Sequence, residues 1–375
     1  MKKGILKKRV IKKVMITLLA VFVVVLLAGG SFLLFWPSLG KSPSKQQKEA
    51  YAQRTDAFYD GVFHTPEYFQ LIVDTEDPTG DAPVALEPEG EIPVNKITKL
   101  QKADVDALTF TWFGHSTSLL QIHGMTVFID PVLSEFASPV AGIGSKRMAE
   151  VPMTAENLPE IDVLLISHDH YDHLDYKTIK DIDPKVKNYC VPIGVENHLE
   201  RWGVDPEKIH TMAWWEEIYI DGLTIASTPG QHYSGRLPWG SNQTLWCGYY
   251  LQDEYHKVYY TGDTGYGQFF KQIREQYGAP ELVLSEDGQY DPEWPYCHMS
   301  PQEVLKAAQD LGTEWLLPVH WAGFVLSRHA WDDPVEQLTA LAEGSQVLVT
   351  TPRIGETVDF SNVDAYQEKW WREVK

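Results

Sequence analysis

Hydrophobic residues along this chain fall in short bursts separated by polar stretches, preceded by one much longer run. The long run, Met15 to Trp36, holds 22 residues without a charge. As a helix it would be about 33 Å long, enough to cross a bilayer. Farther on, Leu108 to Gly114 alternates apolar and polar positions. Ser118 to Ile122 and Met125 to Ile129 flank His123-Gly124 and predict a hairpin. Four more bursts predict strands: Asp162–Ser167, Leu223–Thr228, Lys257–Thr261 and Trp315–Val319. Helices are marked by their ends. Ser300-Pro-Gln-Glu303 is a capping box with Pro at the first helical position, and Gly312 is a stop. Asp333-Pro-Val-Glu336 repeats the start, with Gly344 as the stop; Gly194–Trp202 and Gln268–Tyr277 also read as helices. Strands alternating with helices predict a mixed α/β protein, and periodicity alone says no more.

The strand ends carry the chemistry. After Asp162–Ser167 comes His168-Asp-His-Tyr-Asp-His173, three imidazoles and a carboxylate spaced His-x-His-x-Asp-His. On an extended stretch, residues two apart point the same way, so His168 and His170 can grip one ion together. Asp172 and His173 can serve a second. Leu223–Thr228 runs into His232, Lys257–Thr261 into Asp263, and Trp315–Val319 into His320. Side by side in a sheet, these strands would bring the four groups to one edge. Imidazole and carboxylate without thiolate suit zinc, manganese or ferrous iron and argue against a sulfur-rich structural zinc site.

This order of ligands over roughly residues 105–355 resembles the metallo-β-lactamase superfamily. Further strings resemble its N-acylphosphatidylethanolamine phospholipase D branch, with L-ascorbate-6-phosphate lactonase a more distant relative. They are Thr111-Trp-Phe-Gly-His-Ser-Thr117, Ile129-Asp-Pro131, Thr228-Pro-Gly-Gln-His232, Gly262-Asp-Thr-Gly-Tyr266, His298-Met-Ser-Pro301 and His320-Trp321. One stretch departs: Ser285-Glu-Asp-Gly-Gln-Tyr290 stands where the animal phospholipase is apolar and uncharged. The resemblance implies an αββα sandwich holding two divalent cations, zinc expected and manganese or ferrous iron allowed. It implies that His168, His170 and His232 hold one ion, that Asp172, His173 and His320 hold the other, and that Asp263 bridges them. Such a pair lowers the pKa of a shared water and so supplies a nucleophile for an ester, lactone or phosphodiester.

Around that set, Asp172 is the expected proton acceptor and His298 the expected contact to the leaving group. Asp130 and Asp175 are expected to hydrogen-bond ligand imidazoles or to cap local turns. His115 is expected to line the cleft or tie strands together. Lys146, Arg147 and Arg236 are candidates for a local basic pocket. Trp214, Trp215, Trp239, Trp246, Trp294, Trp321, Tyr233 and Tyr290 give aromatic density near the inferred site, of which the 233–246 loop could bind acyl chains or a sugar.

Charge refines localisation. Residues 1–14 carry seven Lys or Arg and no acid, which sets the N-terminus in the cytoplasm and the catalytic domain outside. The apolar run is longer than a signal peptide core, so it reads as a single-pass anchor in a bacterial cell membrane; the weak small-residue site Ala28–Ser31 leaves cleavage as the alternative. Beyond the tail, 25 Lys and Arg face 52 Asp and Glu, a net of −27 that repels nucleic acid. Cys190, Cys247 and Cys297 read as ordinary thiols. The expected organisation is a basic tail (1–14), an anchor (15–36), a linker and irregular lead-in (37–104) that includes acidic Asp74–Asp81, and a hydrolase domain (105–375). The leading expectation is a phosphodiesterase of phospholipase D type acting on a lipid or small molecule, with a lactonase second. A non-catalytic metal-binding surface protein is the alternative from another class. The oligomeric state is left open.

Overall fold

A computed structural model describes residues 2–73, 85–236 and 240–374, with side chains from residue 11 onward; Asp74–Asp81 and Trp239 lie outside the described residues. Six strands come first: β1 (Thr109–Trp112), β2 (Ser118–Ile122), β3 (Met125–Ile129), β4 (Ile161–Leu165), β5 (Val186–Pro192) and β6 (Ile209–Met212). Seven follow: β7 (Glu217–Ile220), β8 (Leu223–Thr228), β9 (Gly248–Gln252), β10 (Lys257–Tyr260), β11 (Leu282–Glu286), β12 (Trp315–Val319) and β13 (Leu348–Val349). A last strand, β14 (Thr357–Asp359), returns to pair with β1. They form two sheets, ordered β6-β5-β4-β3-β2-β1-β14 and β7 through β13 in sequence order. Two short ribbons, Phe58–Tyr59 with Val62–Phe63 and Phe136–Ala137 with Ser145–Lys146, lie apart from both.

Alternation explains the layers. In β2 and β3, Leu120, Ile122, Val127 and Ile129 belong to the core between the sheets, while Leu119 and Phe128 face outward. The outer face is covered by helices Tyr176–Ile182 and Glu196–Trp202, whose Ile179, Ile182, Leu199 and Trp202 join that cluster. The second sheet repeats this: Leu282, Leu284, Leu317 and Val319 point inward, and Val283 and Leu316 meet the helices beyond. Those helices are Phe269–Tyr277, Pro301–Leu311 and Asp333–Ala342. Both faces of each sheet are buried, so the strands read as near-continuous apolar runs. The result is a four-layer αββα sandwich.

The helix over Pro301–Leu311 carries the expected capping box at Ser300 and Glu303 and ends at left-handed Gly312. The helix at Asp333 starts differently from expectation. Its N-cap is Asp332 without a side-chain cap, because the Asp333 carboxylate accepts instead from Tyr290 Oη and Gln337 Nε2.

Residues 37–50, expected to be linker, contain ordered structure. A helix over Lys45–Arg54 starts at a Ser44–Gln47 capping box. It docks by burying Tyr51, whose hydroxyl donates to Glu196 Oε1 at 2.5 Å. Ahead of it, residues 36–41 form a strap across the domain. Trp36 Nε1 donates to Pro139 O at 2.6 Å, Trp202 Nε1 to Pro37 O at 2.8 Å, and Lys41 N to His198 Nδ1 at 2.9 Å. The preceding helix spans Lys2–Phe35; within it Ile11–Phe35 is long and apolar enough to cross a membrane, with its apolar side chains exposed.

Leu120 is fully buried between the sheets. Replacing it with Ala should lower unfolding free energy by about 2–5 kcal/mol in urea titration, without changing the far-ultraviolet circular dichroism.

Candidate metal centre

Four strands end at one edge of the sandwich, and the residues that follow them converge. The loop after β4 carries His168, His170, Asp172 and His173; β8 leads to His232, β10 to Asp263 and β12 to His320. Their donor atoms form overlapping groups, each within 4.8 Å: His168, His170 and His232; His115, Asp172, His173 and His320; and His168, His173 and Asp263. Asp263 Oδ2 sits between the halves, 3.1 Å from His173 Nε2 and 3.2 Å from His320 Nε2, and 3.8 Å from Nε2 of both His168 and His232. Asp172 Oδ2 lies 3.3 Å from His173 Nε2 and 3.4 Å from His320 Nε2.

The surroundings turn lone pairs inward. His173 Nδ1 donates to Asp130 Oδ2 at 2.7 Å, and His232 Nδ1 to Cys297 O at 3.0 Å. His168 Nδ1 is 2.9 Å from Ser167 Oγ. With Nδ1 engaged, Nε2 is free to ligate. Asp130 is itself fixed by the Ser167 and Tyr260 hydroxyls, each at 2.5 Å, and by Ser167 N–H at 2.7 Å. Asp130 (φ 40°), His115 (φ 53°) and His320 (φ 69°) all hold left-handed backbone, a strain that accumulates at functional sites.

Electrostatics bears on whether cations fit. Burial would push the Asp172 and Asp263 carboxyls up, but the charge of the facing His173 holds both well below the usual carboxylate range, with the His115 contact adding to it at Asp172. Burial equally works against charge on His173 and His320. The facing carboxylates outweigh it, holding His173 well above the usual imidazole range and His320 at about 10. His168 and His232 are pushed well below the range by burial and neighbouring imidazoles, so their lone pairs are available. His173 Nε2 and Asp263 Oδ1 are buried without a hydrogen-bond partner. A set of nitrogen and oxygen donors with orphaned lone pairs and two ionised carboxylates fits divalent cations.

The other expected residues divide. His115 lies at the site, its Nε2 2.9 Å from Asp172 Oδ2, and burial pushes its imidazole down to about 3. His298 borders a cavity of about 490 Å³ whose base includes Asp172 and Asp263 and whose walls include Leu71, Ile72, Trp294 and Leu326. Asp175 touches no ligand. It caps the helix at Tyr176, accepting from Thr178 N–H at 3.0 Å and from Ser134 Oγ.

The basic pocket does not form. The Arg236 guanidinium is buried and donates to Asp169 O, Leu174 O and Ser38 O at 2.5–3.0 Å, while stacking on Tyr171. Arg236 thus clamps the metal-ligand loop to the strap instead of facing substrate. Arg147 is buried against backbone carbonyls and Phe324, and Lys146 pairs with Glu135 at the surface. Of the aromatic residues, Trp294 and Tyr233 border the cavity, whereas Trp321 stacks with Trp112 and Trp370 in the core. Sequence reasoning missed Glu286. It is fully buried at the end of β11, with Oε2 3.1 Å from His298 Nδ1. The signal was there: another short apolar strand ending in a possible ligand.

Residues 125–321 match the beta-lactamase superfamily domain. The chain is a member of that superfamily. It is 38% identical over 292 residues to an uncharacterised protein of Mycobacterium tuberculosis, covering 77% of this chain and 78% of the other. It is 32% identical over 311 residues to the mitochondrial N-acyl-phosphatidylethanolamine-hydrolyzing phospholipase D of Saccharomyces cerevisiae, covering 79% and 66%. Among solved structures, Igni18, a metallo hydrolase of Ignicoccus hospitalis, superposes with a TM-score of 0.51 at 22% identity, covering 68% and 98%. This superfamily member is therefore a metallo-hydrolase of the N-acylphosphatidylethanolamine phospholipase D-like branch, with a divalent-metal fold and a His/Asp cluster to match.

Cation binding to this cluster should expel protons, because His173 and His320 must lose theirs to ligate. With His320 held at about 10, affinity should rise as pH increases through neutrality. Adding Zn²⁺ to metal-free hydrolase in weakly buffered solution containing an indicator dye should release at least one proton per chain; none released would contradict the assignment.

Proposed function

We propose that this hydrolase is a membrane-anchored phosphodiesterase of phospholipase D type that cleaves lipid-like phosphodiesters. The observation that carries this reading is the cavity, which sets an apolar wall above the His/Asp cluster and has no Lys or Arg among its described lining residues. A phosphomonoester dianion would find no basic side chain there, whereas a diester carries one charge and brings apolar substituents that match Leu71, Ile72, Trp294 and Leu326. The yeast relative named for N-acylphosphatidylethanolamine hydrolysis supports the same class.

The assigned ligands are His168, His170 and His232 for one ion and Asp172, His173 and His320 for the other, with Asp263 shared. Zinc suits this donor set. Cations held there would supply Lewis acidity and would lower the pKa of bound water. The protein's own groups do the remainder. Asp172, steadied by His115, orients the attacking water and accepts its proton. His298 borders the cavity beside His232 and His320 and protonates the departing alkoxide.

The anchor supports a lipid substrate. Trp36, at the end of the apolar helix, bonds Pro139, and Ala137, two residues away, borders the cavity. The cavity mouth and the end of the anchor are thus neighbours. The basic flank of the anchor favours a cytoplasmic N-terminus and an extracytoplasmic domain. We assign residues 1–14 to a tail, 15–36 to the anchor, 37–104 to a lead-in that includes the docked helix at Lys45–Arg54, and 105–375 to the hydrolase.

Full-length protein should hydrolyse N-acylphosphatidylethanolamine in mixed micelles, and His170→Ala or Asp263→Ala should lower kcat by about 10²-fold or more with loss of bound metal. Turnover of lactones but no phosphodiester would replace this reading with a lactonase. His298→Asn should cost roughly 10²-fold in kcat on the same lipid while leaving metal content intact.

A further inference from the structure

Glu286 occupies a position that the sheet pattern reserves for an apolar side chain. Along β11, Leu282 and Leu284 face the core between the sheets, and Glu286 comes next on that face. In the register with β12 it lies opposite Val319, one residue before His320. The side chain is fully buried, and no Lys or Arg pairs with it among the described residues. Burying a carboxylate without a basic partner is costly unless its oxygens are engaged, and here they are. Oε1 accepts the Met299 N–H at 2.6 Å. Oε2 lies 3.1 Å from His298 Nδ1 and 3.6 Å from His320 Nδ1. The neighbouring Asp287 carboxyl is also fully buried, with neither oxygen hydrogen-bonded; burial, then the charges of Glu286 and Asp333, push it well above the usual range.

The Met299 N–H contact matters as much as the imidazole contact. It pins the carboxylate to the residue after His298, so Glu286 holds both the ring and the backbone that carries it. His298 is further confined by stacking on His320, with centroids 5.2 Å apart, and by an edge contact to His232 at 5.1 Å. It remains only partly buried and borders the cavity. With Nδ1 committed to the carboxylate, the hydrogen exchanged with substrate must travel through Nε2.

We infer that Glu286 is the positioning residue for His298: its carboxylate accepts the Nδ1 hydrogen and so presents Nε2 to the leaving-group oxygen. This rests on the phosphodiesterase reading above. In that reaction the bond from phosphorus to the alcohol oxygen breaks and the oxygen keeps the electron pair. The oxygen takes the Nε2 proton. The imidazolium form of His298 supplies that proton and is left as the Nδ1–H imidazole; water contributes its oxygen and one hydrogen to the phosphate, and its other hydrogen, taken up by Asp172, returns the charge to His298. Glu286 keeps its hydrogen bonds to His298 Nδ1 and Met299 N–H and touches no substrate.

The test uses full-length protein with ¹⁵N-labelled histidine. Two-bond ¹⁵N–¹H spectra, with the His298 signals identified from His298→Asn, should show neutral His298 carrying its hydrogen on Nδ1, and Glu286→Ala should abolish that preference. A hydrogen on Nε2 in the unmutated protein would overturn the pairing. Kinetics then separates positioning from general support. Glu286→Gln should lower kcat by about tenfold or more on N-acylphosphatidylethanolamine, whose alkoxide needs a proton. Bis(4-nitrophenyl) phosphate, whose leaving group does not, should change less than about threefold, with KM and bound metal unchanged for both. Glu286→Asp should recover part of the loss. Equal losses on both substrates, or loss of metal, would assign Glu286 to His320 instead and overturn the inference. Unmutated protein that cleaves neither diester would sink the phosphodiesterase reading and the leaving-group role with it, while the spectra would still decide the Glu286–His298 pairing.

Discussion

Two buried carboxylates without a basic side chain beside them set the terms for this molecule. Asp172 and Asp263 face the imidazoles of His173 and His320, and the buried guanidinium groups of Arg236 and Arg147 are spent on backbone carbonyls. Such charge cannot stay in a protein interior uncompensated. Protons on His173 and His320 balance it in the protein alone, and divalent cations are the stronger alternative. The site is accordingly a demand for positive charge built into the fold.

The sandwich meets that demand by geometry. Strands of both sheets end at one edge, and each contributes a short loop that need only turn one side chain inward. Left-handed backbone at His115, Asp130 and His320 marks where the turning is tightest. The core beneath, with Leu165, Tyr260, Leu284 and Val319 fully buried, is rigid enough to hold these conformations. Precision at the edge therefore derives from packing several residues away.

Much of this was legible in the chain because its signals are local. His168 to His173 follow an apolar burst directly, and each later ligand ends one of its own. The capping box at Ser300 announced its helix for the same reason. The misses share the opposite cause. Asp175 took the local of its two expected roles, capping the helix at Tyr176, whereas Arg236 is of the right type for a basic pocket, but its direction depends on a partner distant in sequence, Ser38. The helix over Lys45–Arg54 was overlooked because it is polar almost throughout and buries little beyond Tyr51; its Ser44–Gln47 box was the available cue. Glu286 ends an apolar burst as the other site residues do, but its role depends on His298 and Met299, beyond its own strand.

The strap at residues 36–41 makes the position of any chain break near the end of the apolar helix consequential. Arg236 holds the ligand loop with one side of its guanidinium and the Ser38 carbonyl with the other. A protease cutting within the apolar helix, before Trp36, would shed a domain that keeps this crosspiece. A cut a few residues later, beyond Lys41, would leave Nε and Nη2 of this buried guanidinium without their Ser38 acceptor, while Nη1 keeps the Asp169 and Leu174 carbonyls. Whether a soluble fragment retains its metals would thus turn on a distance of about one helical turn.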